Sequence, residues 1–208
     1  FGTVGTIKNK ITKKSRTYEI ESRVNFQGLA KVLLKGQTEH YISRGRIQNG
    51  LMVPDTYIMT TLKKGEKRIK EYRINHKTKK VTRRDRKWKD GKLVKDKKKK
   101  LNFYAKDDLL TLYFNLGTAV KKKGKKYYFK AVGLEKQNGK VQITVPSKAQ
   151  QAPYVADLGA ASFYAKALIH QENFNGSKGD ILLSLAKDKY IEKSVIKDVV
   201  LYGDAKIE

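Results

Sequence analysis

The sequence predicts an all-β protein, in which a curved antiparallel sheet or a partly closed β-barrel carries one short plugging helix. Apolar and polar residues alternate with a period of two along much of the chain, most clearly in residues 17–26. Turn residues, mainly glycine beside asparagine, aspartate or lysine, interrupt this pattern at short intervals. A complete helical pattern occurs at about residues 107–117. We expect one β-rich domain over residues 1–208, because a single all-β domain can reach this length.

The N-terminal part of the chain is expected to form a meander of strands. Residues 17–26 alternate between an apolar series and a charged or polar series, which predicts a strand with one face in water. The pair Asn49-Gly50 is a hairpin signal. The other strands predicted in this part cover residues 1–7, 29–34, 39–43 and 57–62.

Long basic hairpins are predicted at residues 63–100. This region contains 20 Lys or Arg and 5 Asp or Glu, a local net charge of +15. Turn signals at 63–65, 75–80 and 90–91 separate segments that carry isolated apolar residues such as Tyr72, Val81 and Trp88. We therefore expect paired strands with polar faces rather than a structureless basic tail.

The helix is predicted from its caps and its apolar face. Asp107 or Asp108 can accept hydrogen bonds from the free N–H groups of the first turn, and Gly117 can close the last turn. Four apolar residues fall at i, i+3, i+4 and i+7, and we expect their common face to pack against the sheet or to line an apolar groove beneath the helix. These residues are Leu109, Leu112, Tyr113 and Leu116.

After the helix the chain returns to strand patterns. Residues 163–170 alternate in the same way as the early strands, and residues 150–159 form a looser segment that could hold a helical turn. The remaining predicted strands cover residues 127–134, 141–145, 181–186 and 190–201.

The positive charge predicts an anionic partner. The chain has 47 Lys or Arg against 20 Asp or Glu, a formal net charge of +27, which favours nucleic acid, an anionic membrane or glycolipid, or an acidic polymer. Trp88 could stack on a base, lie at a membrane interface, or pack across its own hairpin. If the lysines only reflect the composition of the source proteome, the same charge is a solvated surface. The predicted anion-binding residues are Arg83, Arg84, Arg86, Lys87, Trp88, Lys95, Lys97, Lys98, Lys99 and Lys100.

The sequence offers little support for catalysis. It has no cysteine, which excludes disulfides, thiolate metal sites and cysteine nucleophiles. His40, His76 and His170 lack metal-ligand spacing on a helix, and no nucleophile elbow, P-loop or dinucleotide fingerprint occurs. Asp107 and Asp108 could be read as an acid–base pair, but adjacent aspartates at a helix start are typical of caps. We expect no catalytic residue, no metal, no cofactor and no enzymatic activity.

Several landmarks in this order resemble the DUF3108 family of exported bacterial proteins of unknown function. They are a strand at Tyr18 after a glycine-bearing start, GLMVP at 50–54, the hairpin at 85–92, DLLTLYF at 108–114, and DILLSLAKD at 180–188 followed by a strand and Gly203. The resemblance implies an exported, periplasmic protein with a curved, partly closed sheet, and it assigns no activity and no catalytic residue. The start at Phe1 fits a mature protein after removal of a signal peptide, or a chain trimmed for expression.

No apolar run approaches the roughly 18 residues that span a bilayer. Three functions remain after this reasoning. The first is a non-enzymatic periplasmic or cell-envelope protein that presents the basic hairpins to anionic lipid, lipopolysaccharide or another polymer. The second is a nucleic-acid-binding protein. The third is a carrier of a small apolar ligand in a groove between helix and sheet, and an enzyme has the least support.

Overall fold

The computed structural model describes residues 5–27, 31–32, 35–134, 136–170, 179–199 and 203–207. Strands make up 61% of the structure, which confirms the predicted all-β class with curved antiparallel sheet. The contacts group the chain into two compact units, Phe1–Thr111 and Leu112–Glu208. The prediction of a single domain stays a prediction, because two compact units can belong to one domain.

The first unit contains a seven-stranded antiparallel meander in which each strand pairs with its neighbour in sequence. Tight turns join the third strand to the fourth, the fourth to the fifth and the sixth to the seventh, where Asn49, Gly50, Gly65, Asp90 and Gly91 adopt the positive φ angles that such turns require. The strands are β1 (Gly5–Lys14), β2 (Thr17–Phe26), β3 (Thr38–Gln48), β4 (Leu51–Lys63), β5 (Glu66–Asn75), β6 (Lys80–Lys89) and β7 (Lys92–Lys100). The basic hairpins predicted at 63–100 are therefore β5, β6 and β7 of this sheet.

The two faces of the first sheet differ in polarity. Residues directly opposite each other on neighbouring strands share a face. Ser43 is opposite both Ile20 and Tyr57, and Tyr57 is opposite Tyr72, so these residues define one face, which we call the inner face. All four are buried. The outer face is defined by Glu19 and Arg44, which are also opposite each other and form an ion pair. This matches the wet face predicted for residues 17–26.

One strand prediction near β2 is wrong in the residues that can be checked. Lys31 and Val32, from the strand predicted at 29–34, are helical. The other four residues of that range lie outside the described part of the chain. A turn closes here through hydrogen bonds from Lys31 N to Gln27 O and from Gly36 N to Lys31 O. Local backbone bonding therefore prevails over the apolar β-pattern.

The second unit also contains an antiparallel meander. Its strands are β9 (Lys125–Val132), β10 (Lys140–Val145), β11 (Phe163–Ile169), β12 (Gly179–Leu185), β13 (Ile191–Val199) and β14 (Gly203–Ile207). The helical turn predicted at 150–159 is a helix, α2 (Ala152–Leu158), which packs on β12 and β13. Its Tyr154 and Leu158 form an apolar cluster with Tyr164, Leu182 and Val195.

The central helix, α1, covers Leu109–Ala119 and follows a two-residue strand, β8 (Asp107–Asp108). Asp108 caps it, because its Oδ1 accepts a hydrogen bond from Thr111 N at 2.8 Å. The prediction that Gly117 closes the helix is wrong, since α1 continues to Ala119. A Cβ at Gly117 would meet the Lys189 carbonyl oxygen at 2.1 Å, so this glycine permits close packing instead.

The predicted apolar face of α1 is only partly the buried one. Leu112 and Leu116 are buried, whereas Leu109 and Tyr113 are half-buried. The polar residues Thr111 and Asn115 are buried too, so the buried stripe is rotated by about one residue from the predicted stripe. Within the second unit, Tyr113 hydrogen-bonds Ser194 and Gly117 approaches Leu185 and Lys189.

Candidate anion-binding surface

The predicted anion-binding residues lie on β6 and β7, and the strand alternation divides them between the two faces of the first sheet. In the described part of the chain, β7 is the last strand of this sheet. Those on the inner face are Arg83, Lys87, Lys95, Lys97 and Lys99, and those on the outer face are Arg84, Arg86, Trp88, Lys98 and Lys100. The basic cluster seen in the sequence is therefore two separate rows of side chains.

On the inner face, the cations surround a buried carboxylate. The Asp85 side chain has no solvent exposure, and it accepts hydrogen bonds from Arg68 Nε at 2.9 Å, Arg68 NH2 at 2.7 Å and Lys95 Nζ at 2.8 Å. Arg83 NH2 lies 3.8 Å from the same carboxylate. The hydrogen bonds from Arg68 hold the pKa of Asp85 well below its ordinary value, and those from Lys95 add to the effect. These cations neutralise Asp85 and are not free to bind an external anion.

Asp85→Asn should destabilise the first unit, because it leaves these cations around a site without a negative charge. Breaking one side of a buried pair typically costs 3–5 kcal/mol, and we expect roughly 3 kcal/mol here since Arg68 and Lys95 can regain some hydration. Urea denaturation measures the change. Asp96→Asn is the matched control: Asp96 pairs with Arg84 in a more exposed position, and we expect a much smaller loss of stability. Equal losses would contradict a structural role for Asp85.

The two predicted arginines of the outer face are also paired. Arg84 Nε and NH2 hydrogen-bond Asp96 at 2.8 and 2.6 Å, and Arg86 NH2 lies 3.4 Å from Glu71 Oε2. On the inner face, Lys87 Nζ contacts Glu66 Oε1 at 2.9 Å. Four of the five acidic residues of the basic region thus bind cations across the strands.

Trp88 packs across its own hairpin. Lys67 is directly opposite Trp88, and its Nζ lies 5.6 Å from the ring centroid. The Arg86 guanidinium carbon lies at the same distance from that centroid. These are cation–π contacts within the sheet, and they favour the packing interpretation over base stacking.

Among the predicted anion-binding residues, the lysines that remain available are at the end of β7. The side chains of Lys97, Lys98 and Lys100 are exposed and form no ion pair or hydrogen bond with any described residue, and Lys99 is exposed beside them. Side chains on one face of a strand repeat about every 7 Å. Lysines on an outermost strand also discourage pairing with another sheet edge, so this arrangement suits both a protective role and contact with an extended anion.

His40 and His76 have separate environments in the first unit, and His170 directly follows β11 in the second. His40 Nε2 contacts Glu21 Oε1 at 2.7 Å, whereas His76 Nδ1 contacts the Tyr104 hydroxyl at 2.9 Å and its Nε2 contacts the Pro54 carbonyl oxygen at 2.6 Å. Across the described ranges, no three His, Asp or Glu side chains are grouped so that they could hold a metal ion. The expectation that the protein has no metal stays a prediction.

Asp107 and Asp108 are both buried, which favours their interpretation as part of the helix start over an acid–base pair. Asp108 Oδ2 accepts a hydrogen bond from Ser43 Oγ at 2.5 Å, and Ser43 Oγ lies 3.0 Å from the Tyr18 hydroxyl. Burial raises the pKa of Asp108 to about 7. A carboxyl group with no solvent exposure cannot meet a substrate unless the structure opens.

None of the helices in the residues described is long and apolar enough to cross a membrane. No family model, curated protein or solved structure matches the chain.

Proposed function

We propose that the protein is a non-enzymatic binding protein of the bacterial cell envelope, located in the periplasm, that presents the end of β7 to an anionic component. Anionic lipid, lipopolysaccharide and acidic polymers have the required charge. The observation that carries the proposal is the exposure of Lys97, Lys98 and Lys100 without an ion pair among the described residues. The periplasmic location, and membership of the DUF3108 family, rest on the sequence resemblance alone.

The geometry of β7 supports recognition of an extended partner by charge. Consecutive lysines point to opposite faces of the sheet, so an anion that follows the strand can contact Lys98 and Lys100 on one side and Lys97 on the other. Four residues of strand span about 13 Å. The acidic residues Asp96, Glu71 and Glu66 pair with Arg84, Arg86 and Lys87 of β6. Lys97, Lys98 and Lys100 of β7 keep their charge without an ion pair among the described residues.

Two features reduce support for the alternative functions. Trp88 already has two cations near its ring, so a base would have to displace them before it could stack. Leu112 and Leu116 of the proposed apolar groove are only 6% and 2% exposed, so an apolar ligand would have to uncover them. A partner held by charge at β7 requires neither rearrangement.

The proposal predicts that Lys97→Ser, Lys98→Ser and Lys100→Ser together weaken binding to an anionic surface. Each lysine near an anionic membrane contributes about 1 kcal/mol, so we expect roughly 100-fold weaker binding to vesicles that contain phosphatidylglycerol or lipopolysaccharide. Binding of the parent should also weaken steeply as salt rises. Sedimentation of vesicles at several salt concentrations measures both effects, and circular dichroism checks that the variant folds.

The matched control replaces Lys8, Lys10 and Lys14 by serine. These lysines are exposed on β1, the opposite end of the first sheet, and the change removes the same net charge. We expect it to alter binding only a few-fold. Equal losses in the two variants would show that net charge, not β7, drives binding. Tighter and saturable binding to single- or double-stranded DNA in parallel assays would favour the nucleic-acid alternative. If the β7 variant binds vesicles as tightly as the parent, the lysines of β7 are only a solvated surface.

A further inference from the structure

A second basic feature of the first unit is a cleft of about 830 Å³ at the end of the sheet near the β5–β6 turn. Its charged and hydroxyl-bearing lining includes Arg46, Asp55, Arg73, Lys77, Lys80 and Thr82. None of these residues belongs to the surface at β7. The volume falls in the range of sites for small molecules, roughly 300–1,000 Å³.

One wall of the cleft depends on a bulge between β3 and β4. Arg44 pairs with Thr56 and Gly45 with Pro54, so Asp55 has no partner in the ladder. Asp55 instead accepts hydrogen bonds from Arg46 Nε at 3.2 Å and Arg46 NH2 at 3.0 Å. A Cβ at Gly45 would lie 2.0 Å from the Val53 carbonyl oxygen, so the bulge requires glycine there.

His76 connects the bulge to the β5–β6 turn, which forms the other side of the cleft. Its Nε2 donates to the Pro54 carbonyl oxygen at 2.6 Å, because a carbonyl oxygen can only accept. Its Nδ1 lies 2.9 Å from the Tyr104 hydroxyl, which donates to it in the neutral ring. The β5–β6 turn, which carries Lys77, is thereby held beside the bulge, and His76 is a positioning residue.

The opposite wall brings cations together through the strand register. Arg73 is directly opposite Thr82, and Asn75 is directly opposite Lys80. All four side chains share the outer face, so Arg73 and Lys80 are diagonal neighbours, about 7–8 Å apart at the backbone. Arg73 uses Nε to contact Glu71 at 2.9 Å, and in the described chain its terminal nitrogens have no other protein partner. Lys77 and Lys80 are exposed and have no ion pair with a described residue.

The cleft therefore combines four cationic side chains with one carboxylate, and that carboxylate is already bound to Arg46. Arginine offers paired donors to an oxyanion, lysine supplies a point charge, and the Thr82 hydroxyl can donate a further hydrogen bond. We propose that the cleft binds a phosphate monoester, either on a soluble phosphorylated compound or on a phosphorylated headgroup. Because Arg73 also contacts Glu71, the four cations are offset by two carboxylates, and the remaining charge of +2 matches a dianionic group. The remaining volume accommodates the molecule that carries the phosphate. This inference does not depend on the function proposed for β7.

Isothermal titration with glucose 6-phosphate, and with glucose as the uncharged counterpart, tests the soluble form of the ligand. We expect binding of the phosphate ester only. Lys77→Ser with Lys80→Ser should weaken it at least tenfold, whereas Lys77→Arg with Lys80→Arg should keep affinity within about threefold of the parent because the charge is retained. Lys64→Ser with Lys89→Ser is the control: both lysines are exposed at the other end of the same sheet, and binding should change less than about twofold.

Vesicles test the headgroup form. Phosphatidic acid presents a monoester and phosphatidylglycerol a diester, so the parent should prefer phosphatidic acid and the cleft variant should lose that preference. Preference for phosphatidic acid without binding of glucose 6-phosphate would identify the headgroup as the ligand, and binding of both would identify the phosphate group itself. The proposal is overturned if neither monoester is preferred, or if the cleft and control variants lose affinity equally. Lys97→Ser separates the two proposals, because Lys97 lies on the inner face, away from the cleft, and this variant should retain binding of glucose 6-phosphate. Lys100 is left unchanged in this control because it is directly opposite Thr82 of the cleft.

Discussion

Leu112→Asp should lower the free energy of unfolding by at least roughly 3 kcal/mol and is the most damaging single change we predict. Leu112 is 6% exposed on α1. Removing a buried leucine side chain costs about 2–5 kcal/mol, and the new carboxylate would lose hydration without a counter-charge. Thermal and urea unfolding, followed by circular dichroism, measure the effect.

Leu93→Asp is the matched control for this change. Leu93 lies on β7 and is 53% exposed, so the same substitution leaves no cavity and buries no charge. We expect its unfolding free energy to stay within about 0.5 kcal/mol of the parent. If Leu112→Asp melted within a degree or two of the parent, α1 would be peripheral to the fold.

The strands and the existence of α1 could be predicted because they depend on local patterns. Residues that face the core repeat every two positions in a strand, as in residues 17–26. In a helix they repeat every three to four positions, as Leu112 and Leu116 do. The end of α1 could not be predicted in the same way. A glycine such as Gly117 signals either a left-handed cap or a close approach, and only the position of Lys189 decides between them.

The candidate surface was harder to predict because ion pairs depend on strand register. Asp85 and Arg68 are 17 residues apart in sequence yet form a bidentate pair. The turn between Asn75 and Lys80 fixes the register of β5 and β6, so alternation combined with the position of this turn would have placed Arg68 and Asp85 on one face. Lys95 could not be placed in this way, because a register shift between Lys87 and Trp88 brings it to that face. The expected surface is accordingly reduced from a broad basic block to the end of β7.

The cleft had no comparable signal in the sequence. Arg46 reaches it from β3 and Lys80 from β6, and a bulge that frees Asp55 shifts the register between them. A bulge of this kind is difficult to infer from alternation, because a single extra residue moves every later side chain to the other face. His76 could be dismissed as a metal ligand from the sequence, but its contact with Pro54 could not be inferred.

Asp108 should make the stability of the first unit depend on pH between about 4 and 7. Burial raises its pKa from 3.8 to about 7, and the nearby Asp107 acts in the same direction. A carboxyl group with a raised pKa stabilises the folded protein fully below the unfolded value, and this stabilisation is lost as the pH rises through the folded value. The total change is roughly 4 kcal/mol, of which roughly 2–3 kcal/mol falls between pH 5 and pH 8.

Asp108→Asn isolates this contribution. Asparagine is as good a helix cap as aspartate, and its amide can still accept from Thr111 N and contact Ser43 Oγ. The unfolding free energy of the variant relative to the parent should therefore rise by roughly 2–3 kcal/mol between pH 5 and pH 8. Asp96→Asn is the control for pH: the Arg84 hydrogen bond lowers the pKa of Asp96, so its difference from the parent should be constant over that interval. A constant difference for Asp108→Asn as well would mean that Asp108 ionises at its ordinary pKa and that its burial carries no penalty.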